Sequence, residues 1–399
     1  MTLAKQIDKW YRAGAHEETV KAILNLAQAD VTDALTEDLA VAYNNLGQYQ
    51  KAMGALKHMD FQNRSSPHWH YCMGYALYYA AADSPTREKQ RALLEGAFHS
   101  FFRALKLKPE KGLESECKEF LAWITEDLNS TELSDPSPRK EREGAFCCSI
   151  LLSGAWFDKE KFIRDFYTDW SVHITLSDDD DNVLTPHSPC LIFTADNITA
   201  AITMIPSPAP EKEALKAAAC NYLWPNAVKV TQKHKAHLLI TVLDAKAPLM
   251  EQGLLLVKIA STCCLQLSAT GVFTGAAVYQ LGLYRNLSSV IRDGRLPVFN
   301  WIWFGLYRTP RGVSGYTYGL EVFGKDEIEI SDTDMEPDRL RGILVDLASC
   351  VLEDCAVFQD GDTVEVAGYK KLPVARSKGI ALPGATLKIS FLSPRLTVL

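Results

Sequence analysis

The stretch LAVAYNNLGQYQKAMGAL, residues 39–56, decides how the first third of the chain reads. Apolar and small residues return there every three or four positions: Leu39, Ala40 and Tyr43, then Tyr49, Ala52 and Leu56 after Gly47. That spacing predicts two short helices packed against each other, with small residues where the backbones approach, rings filling the gaps and glycine at the turn. The same texture extends outward over residues 1–127, where proline stands only at positions 67, 85 and 109, each at an expected boundary.

The pattern repeats. HWHYCMGYALYYA (68–80) sets Met73 and Gly74 where residues 39–56 have their helix-contact positions. GAFHSFFRALKLKP (96–109) supplies the closing helix through Ala97, Phe101, Ala104 and Pro109. Together these stretches resemble the tetratricopeptide helix-turn-helix. The third hairpin is longer than a standard repeat by about eleven residues around DSPTREKQRAL. Residues 2–30 read as a weaker first hairpin turning at Gly14. The resemblance implies that the first helix of each hairpin lines a concave groove. With Met73 and Gly74 packed, His68, Tyr71, Tyr75, Tyr78 and Tyr79 are expected to face that groove; with Leu39, Ala40 and Tyr43 packed, so are Glu37, Val41, Asn44 and Asn45. Tyrosine suits a recognition surface because it offers a flat apolar face and a hydroxyl at little rotamer cost. The competing reading packs these rings against the long third hairpin or the C-terminal domain.

Residues 129–143, within NSTELSDPSPRKEREG, are polar and carry two prolines without apolar periodicity, so they read as a linker between domains 1–128 and 144–399. Beyond it, strands mix with helices. AFCCSILLS, VHITLS, CLIFTAD, ITAAITMIP, AHLLITVLD and ATLKISFL read as strands, with a turn at Asp196-Asn197. FDKEKFIRDFYTDW is expected as a helix capped by Asp158, and PAPEKEALKAAACNYLW as one opened by Ser207. Residues 249–267 and a last stretch from Glu336-Pro337 to Glu353 read as helices too. FNWIWFGLYRT and SGYTYGLEVFG are expected to form a hairpin around Pro310-Arg311-Gly312. The expected fold is an all-α hairpin array followed by an α+β domain with a mixed or antiparallel sheet.

Several of these stretches, namely SILLSGAWFDKEKFIRDF, WPNAVKVTQKHKAHLLITVL, LPVFNWIWFGLYRTPRGVSGYTYGLEVFGKDEIEI and KLPVARSKGIALPGATLKI, resemble the bacterial family called domain of unknown function 4261. The likeness spans roughly residues 147–391. It implies a fold grouping, found also fused to tetratricopeptide repeats, and no reaction, cofactor or catalytic residue.

Composition narrows the classes. The net charge of −7 over 399 residues, spread evenly, argues against nucleic acid as a partner. No apolar run approaches the roughly twenty residues of a membrane helix, and MTLAKQIDKW lacks a secretory pattern, so a cytoplasmic protein is expected. The ten cysteines include adjacent pairs, Cys147-Cys148 and Cys263-Cys264, inside apolar stretches, and no C-x-x-C, so they read as buried thiols rather than disulfides or zinc ligands.

Motifs for chemistry are sparse. Gly319 to Asp326 has the spacing of a phosphate-binding loop, but Asp326 stands where Ser or Thr must hold the metal, and a strand follows instead of a helix. His234 and His237 lack a third ligand, and Asp178 to Asp181 reads as a solvated turn. No G-x-S-x-G is present, and neither His173 nor His187 has an identifiable nucleophile partner. Metal and cofactor are expected to be absent. The run Phe299, Trp301, Trp303, Phe304 and Tyr307 is expected as a central strand covered on both sides. Arg308, Arg311, Tyr316 and Tyr318 at the hairpin end are the candidate ligand surface. Two functions remain: a non-enzymatic interaction or adaptor protein, such as one conferring immunity to a bacterial toxin, with a protein or peptide partner; or an enzyme acting on a small molecule in the α+β domain.

Overall fold

The structure, a computed structural model, describes residues 3–27, 30–57, 59, 66–129, 146–177, 190–243, 247–353, 356–366 and 368–391. Of the expected linker at 129–143, Asn129 ends the last helix of the first unit; the rest of it, the Asp178 to Asp181 run and His187 lie outside the described residues. Two compact units are present: Met1–Lys140 with Asp354–Val357, and Glu141–Glu353 with Phe358–Leu399.

The first unit is built of antiparallel helices: α1 (Leu3–Arg12), α2 (His16–Leu24), α3 (Asp33–Asn45), α4 (Tyr49–Lys57), α5 (Pro67–Ala82), α6 (Arg87–Lys106) and α7 (Lys111–Asn129). Local chemistry sets their ends. The side chains of Thr32, Ser66 and Thr86 accept from the backbone N–H three residues on, at 3.3, 2.8 and 3.3 Å, and so cap α3, α5 and α6. Gly47 turns α3 into α4 in the left-handed region, at φ +69°. Gly74 is a close contact between α5 and α6. A Cβ there would stand 3.1 Å from the Phe101 ring, so α5 and α6 approach as closely as they do because that position carries none. Leu39, Ala40, Ala52, Leu56, Met73, Ala97, Phe101 and Ala104 are all buried in the core of this unit, where the repeat spacing places them. Successive odd-numbered helices also touch one another, α1 with α3, α3 with α5 and α5 with α7, so they form a continuous row.

The second unit contains two sheets. Its elements are β1 (Cys147–Leu152), α8 (Lys159–Trp170), β2 (Thr175–Leu176), β3 (Cys190–Ala195), β4 (Ile198–Ile205), α9 (Glu211–Ala219), α10 (Ala227–Lys233), β5 (Ala236–Val242) and α11 (Leu249–Cys263). These are followed by β6 (Ala269–Phe273), β7 (Val278–Tyr279), α12 (Leu281–Ser288), α13 (Val298–Trp301), β8 (Trp303–Thr309), β9 (Gly312–Tyr318) and β10 (Ile328–Thr333). The last are α14 (Pro337–Glu353), β11 (Thr363–Val366), β12 (Tyr369–Lys378) and β13 (Ala385–Ile389). The first sheet runs β2-β3-β4-β5-β1-β6-β7, antiparallel throughout. The second runs β11-β12-β13-β10-β9-β8 and is antiparallel except where β13 lies parallel to β10. Strand β1 is buried from Cys148 onward because both faces are covered: Ile150 and Leu152 join the main core with α11, and Leu151 joins a smaller core with α9 and α10.

Three expectations are corrected. The aromatic run is not a central strand. Phe299 and Trp301 fall on α13, and Trp303 begins β8, the edge of its sheet. Trp303 is nevertheless buried, because Tyr222 and Tyr279 pack on it at ring distances of 5.1 and 6.0 Å. Trp301 is half-buried and donates its indole N–H to the Gly253 carbonyl at 3.0 Å. The helix expected from Ser207 begins at Glu211 and ends at Ala219; Ser207 instead holds His237 through its carbonyl. VHITLS contributes only the two residues of β2.

Candidate functional site

The row of odd-numbered helices carries a continuous aromatic surface. Four tyrosines of α5 (Tyr71, Tyr75, Tyr78 and Tyr79) are half-buried. Tyr75 and Tyr79 lie 4.6 Å apart, Tyr79 stacks on Tyr49 of α4 at 5.6 Å, and Tyr75 meets Phe120 of α7 edge-on at 5.6 Å. Phe120 in turn touches Trp123, which is 46% exposed. One flank of the cluster is thus sealed by α7 while the rest faces outward, a condition between the two alternatives the sequence posed. Desolvation first, and then the Tyr79, Tyr49 and Tyr11 hydroxyls, push the Tyr75 hydroxyl up to about 12.

Carboxylates stand at the seams between the helices of this row. Glu37 of α3 accepts from Ser66 at 3.0 Å and holds His68 at 3.1 Å. Glu116 of α7 accepts from the Tyr71 hydroxyl at 2.5 Å. Burial and then the Asp127 carboxylate raise the pKa of the Tyr78 hydroxyl, and burial raises that of Asp38 of α3, with Asp8 of α1 adding to it. His68 is exposed, and its pKa is raised by contact with the Cys72 thiol and by the Glu37 carboxylate.

The structure separates the expected groove residues. His68, Tyr71, Tyr75, Tyr78, Tyr79 and Glu37 share one surface, and Val41 is half-buried beside them on α3. Asn45 is exposed, with its amide bonded to the Val41 carbonyl at 2.9 Å. Asn44 differs: it is buried and donates to the Cys72 carbonyl at 3.0 Å, tying α3 to α5. Tyr11, Tyr49 and Trp123 were missed. Their signal, an aromatic at an uncovered position of a neighbouring helix, appears only once the helices are stacked.

The second unit holds an open cavity of about 520 Å³. Its walls include Cys220 and Tyr222 beyond α9, Trp303 and Gly305 of β8, Tyr316 of β9, and Ile380. Gly305 makes the room for Tyr316: a Cβ there would fall 2.2 Å from the tyrosine ring, so the ring lies flat on the glycine. Ile380 belongs to a loop pinned by Glu329, a buried carboxylate that accepts from the N–H groups of Ile380, Ala381 and Leu382 at 2.9, 3.1 and 3.2 Å and pairs with Lys388 at 2.9 Å. Burial opposes its ionisation, but these bonds together outweigh burial and lower the Glu329 pKa.

Of the four hairpin residues, only Tyr316 lines this cavity. Tyr318 pairs with Trp303 across the strands and is exposed. Arg308 pairs with Val313, so strand alternation sends it to the opposite face. Arg311 is exposed at the turn, 3.7 Å from Asp332. The segment with phosphate-loop spacing contains a short 3-10 turn, Leu320–Phe323, and the N–H groups of Gly319 and Glu321 at its start are already used. Glu327 accepts from Gly319 at 2.6 Å, Glu321 at 3.3 Å and the Thr317 hydroxyl at 2.7 Å. A carboxylate of the chain itself therefore sits where an anion would. His234 and His237 are buried and hold the backbone of Ala209, Thr231 and Ser207, a structural use. Among the described residues no three His, Cys, Asp or Glu side chains converge as a metal site.

A family described as a domain of unknown function (DUF4261) matches residues 316–390. The match runs from the end of β9 through β13 and includes Tyr316, Glu327, Glu329 and the pinned loop. No curated protein matches the chain, and no solved structure does.

Proposed function

We propose that this is a non-enzymatic recognition protein whose helical array, a tetratricopeptide-like one, takes up a polypeptide segment along the aromatic row of α5. The observation that carries this reading is the unbroken chain of ring contacts from Tyr49 through Tyr79 and Tyr75 to Phe120 and Trp123, open to the outside along most of its length. Tyr49, Tyr75 and Tyr79 pack only partly against the core of the unit. They are the side chains over-represented where proteins hold other proteins. The α+β unit then acts as the second module of an adaptor.

The alternative is an enzyme at the Cys220–Tyr316 cavity, which has the size of a small-molecule site. Its described walls bring together a thiol, phenols and an indole but no paired carboxylate or histidine for proton transfer, so binding is favoured there over catalysis.

The test is capture of binding segments from a peptide library by the full chain. Tyr75→Ala is expected to abolish capture. Because the ring is half-buried, the same change is expected to cost about 1–2 kcal/mol of stability, a modest fall in melting temperature that leaves the unit folded. Undiminished capture by a folded Tyr75→Ala protein would refute the assignment of this surface.

A further inference from the structure

An edge strand carries one row of backbone N–H and C=O groups that its own sheet does not use, and folds commonly shorten or distort such strands. The other edges among the described residues follow that rule: β2 and β7 are two residues long, and β11 is four, with an irregularity in its pairing. Strand β8 does not. It runs seven residues, Trp303–Thr309, in unbroken register with β9, and no described strand lies on its other side.

The turn fixes which groups face outward. Thr309 and Gly312 flank two turn residues and exchange the innermost pair of hydrogen bonds, so alternation directs the backbone groups of Phe304, Leu306 and Arg308 away from β9. The Phe304 carbonyl bears this parity out, since it accepts from the Tyr222 hydroxyl at 2.9 Å. The N–H and C=O of Leu306 and Arg308 have no hydrogen-bond partner among the described residues. The cavity of about 520 Å³ adjoins the same edge. Gly305, Leu306 and Tyr307 line it in succession, although strand side chains alternate between faces, and so does Tyr222, which bonds the edge carbonyl. At Gly305 the strand presents no side chain of its own, and Tyr316 lies flat beside it. Arg308 stands on the other face of the strand, exposed and without an ion partner among the described residues.

We infer that β8 takes up an extended segment of a partner polypeptide as an added strand. The segment bonds the free groups of Leu306 and Arg308 through its main chain, lays a large apolar side chain in the cavity opposite Gly305, and sets a carboxylate opposite Arg308, three residues away. Main-chain bonds supply the affinity and the two side chains the selection, as in other cases of strand addition, and opposite charges across a strand pair favour that register. A second copy of β8 fits worse. Antiparallel registers that pair Phe304 within β8 meet a carbonyl already used, and one centred on Arg308 sets like charges together. The register left, Leu306 against Arg308, puts only Thr309 opposite Gly305, a small polar side chain for an aromatic cavity. The surface belongs to the α+β unit alone and is independent of the aromatic row of α5.

The experiment uses the full chain and fluorescein-labelled ten-residue peptides of Thr, Ser and Val carrying one Trp and one Glu, the Glu three residues before the Trp in one version and three after it in the other. Saturable binding of one version is expected, unchanged in Tyr75→Ala and lost when its Trp is replaced by Ser. Two further peptides carry N-methyl groups on alternate backbone amides, one on each set. An added strand turns only every second amide toward its neighbour, so one set should weaken binding by about tenfold or more and the other leave it within about twofold. Arg308→Pro removes a free N–H from an exposed edge position without touching a β8–β9 bond, and should weaken binding by about tenfold. Arg308→Glu should weaken it by about threefold, and a Lys in place of the peptide's Glu should restore it. Folding of each variant is checked by its circular dichroism melt. Equal binding of the two methylated peptides would mean that the cavity holds the Trp alone, and strand addition is overturned. A full chain that is dimeric by light scattering, and monomeric as Arg308→Pro, would assign the edge to a second copy and overturn the inference too. Binding that disappears in Tyr75→Ala belongs to the helical row, so it counts against β8 and for the recognition reading above. No binding by any of these peptides at 1 mM overturns the inference as well, and leaves capture at α5 to its own test.

Discussion

At the level of single residues, His68 shows how a local contact sets a charge. Its ring meets Glu37 at 3.1 Å and touches Cys72 one turn on, and both contacts favour the protonated form. Because the folded pKa lies above the unfolded value near ~6.5, the pair stabilises fully below that pH. Its contribution fades as pH rises from there through the raised folded value. Proton NMR titration should find His68 still protonated at pH 7.5, and Glu37→Gln should shift its midpoint down; a midpoint unmoved by that change would mean the pair does not form. Trp303 tests burial. Although β8 is an edge strand, Trp303→Ala should cost about 3–5 kcal/mol in a denaturant titration, because Tyr222 and Tyr279 cover its ring. Both residues were legible in part. His68 is on the exposed side of α5 because Met73 and Gly74 are on the packed side, a relation contained in 3.6-residue periodicity. Asn44 was not legible: a polar residue reads as outward-facing, and only its bond to the Cys72 carbonyl, 28 residues on, explains its burial.

Among elements, the α5–α6 contact is the most demanding. Gly74→Ala places a methyl 3.1 Å from Phe101, whose ring is stacked on Phe120 at 4.6 Å and has nowhere to move. The expected cost is about 1–3 kcal/mol, as for other overpacked cores, read as a lowered melting temperature of the helical unit. A melt unchanged from the parent would show that α5 and α6 slide apart at no cost. The hairpin β8–β9 makes the opposite point about legibility. Its existence and turn were readable from Pro310-Arg311-Gly312, yet Arg308 was grouped with Tyr316 although the pairing of Arg308 with Val313 and of Gly305 with Tyr316 sets them on opposite faces. The error was one of parity, and the register of a two-residue turn contains the information to avoid it. The cavity itself was beyond reach. Cys220, Tyr222 and Ile380 come to Tyr316 from segments far along the chain, and no local pattern marks them.

Across the whole molecule, the helical core and the α+β core share no residue. Leu56 and Ile150, each fully buried in its own core, should therefore report independently. Each change to Ala is expected to cost about 2–5 kcal/mol. The double variant should equal the sum within about half a kcal/mol, as distant sites do, and a larger discrepancy in the double-mutant cycle would reveal coupling between the units. The α-then-α+β order was readable because the periodicity of apolar residues changes near residue 145, while the strand order was not, since β1 lies between β5 and β6 and β13 between β12 and β10. That last insertion bears on how the protein is made. Strand β13 comes after every other described strand in the chain, yet it holds an interior place in its sheet. Until the ribosome has released residues 385–389, β10 must wait with one side unpaired, and that open side is a template for any stray strand. Translation that stalls before residue 385 would therefore leave a product prone to stick to its neighbours, and the cell's chaperones would meet this unit with β10 still open on that side.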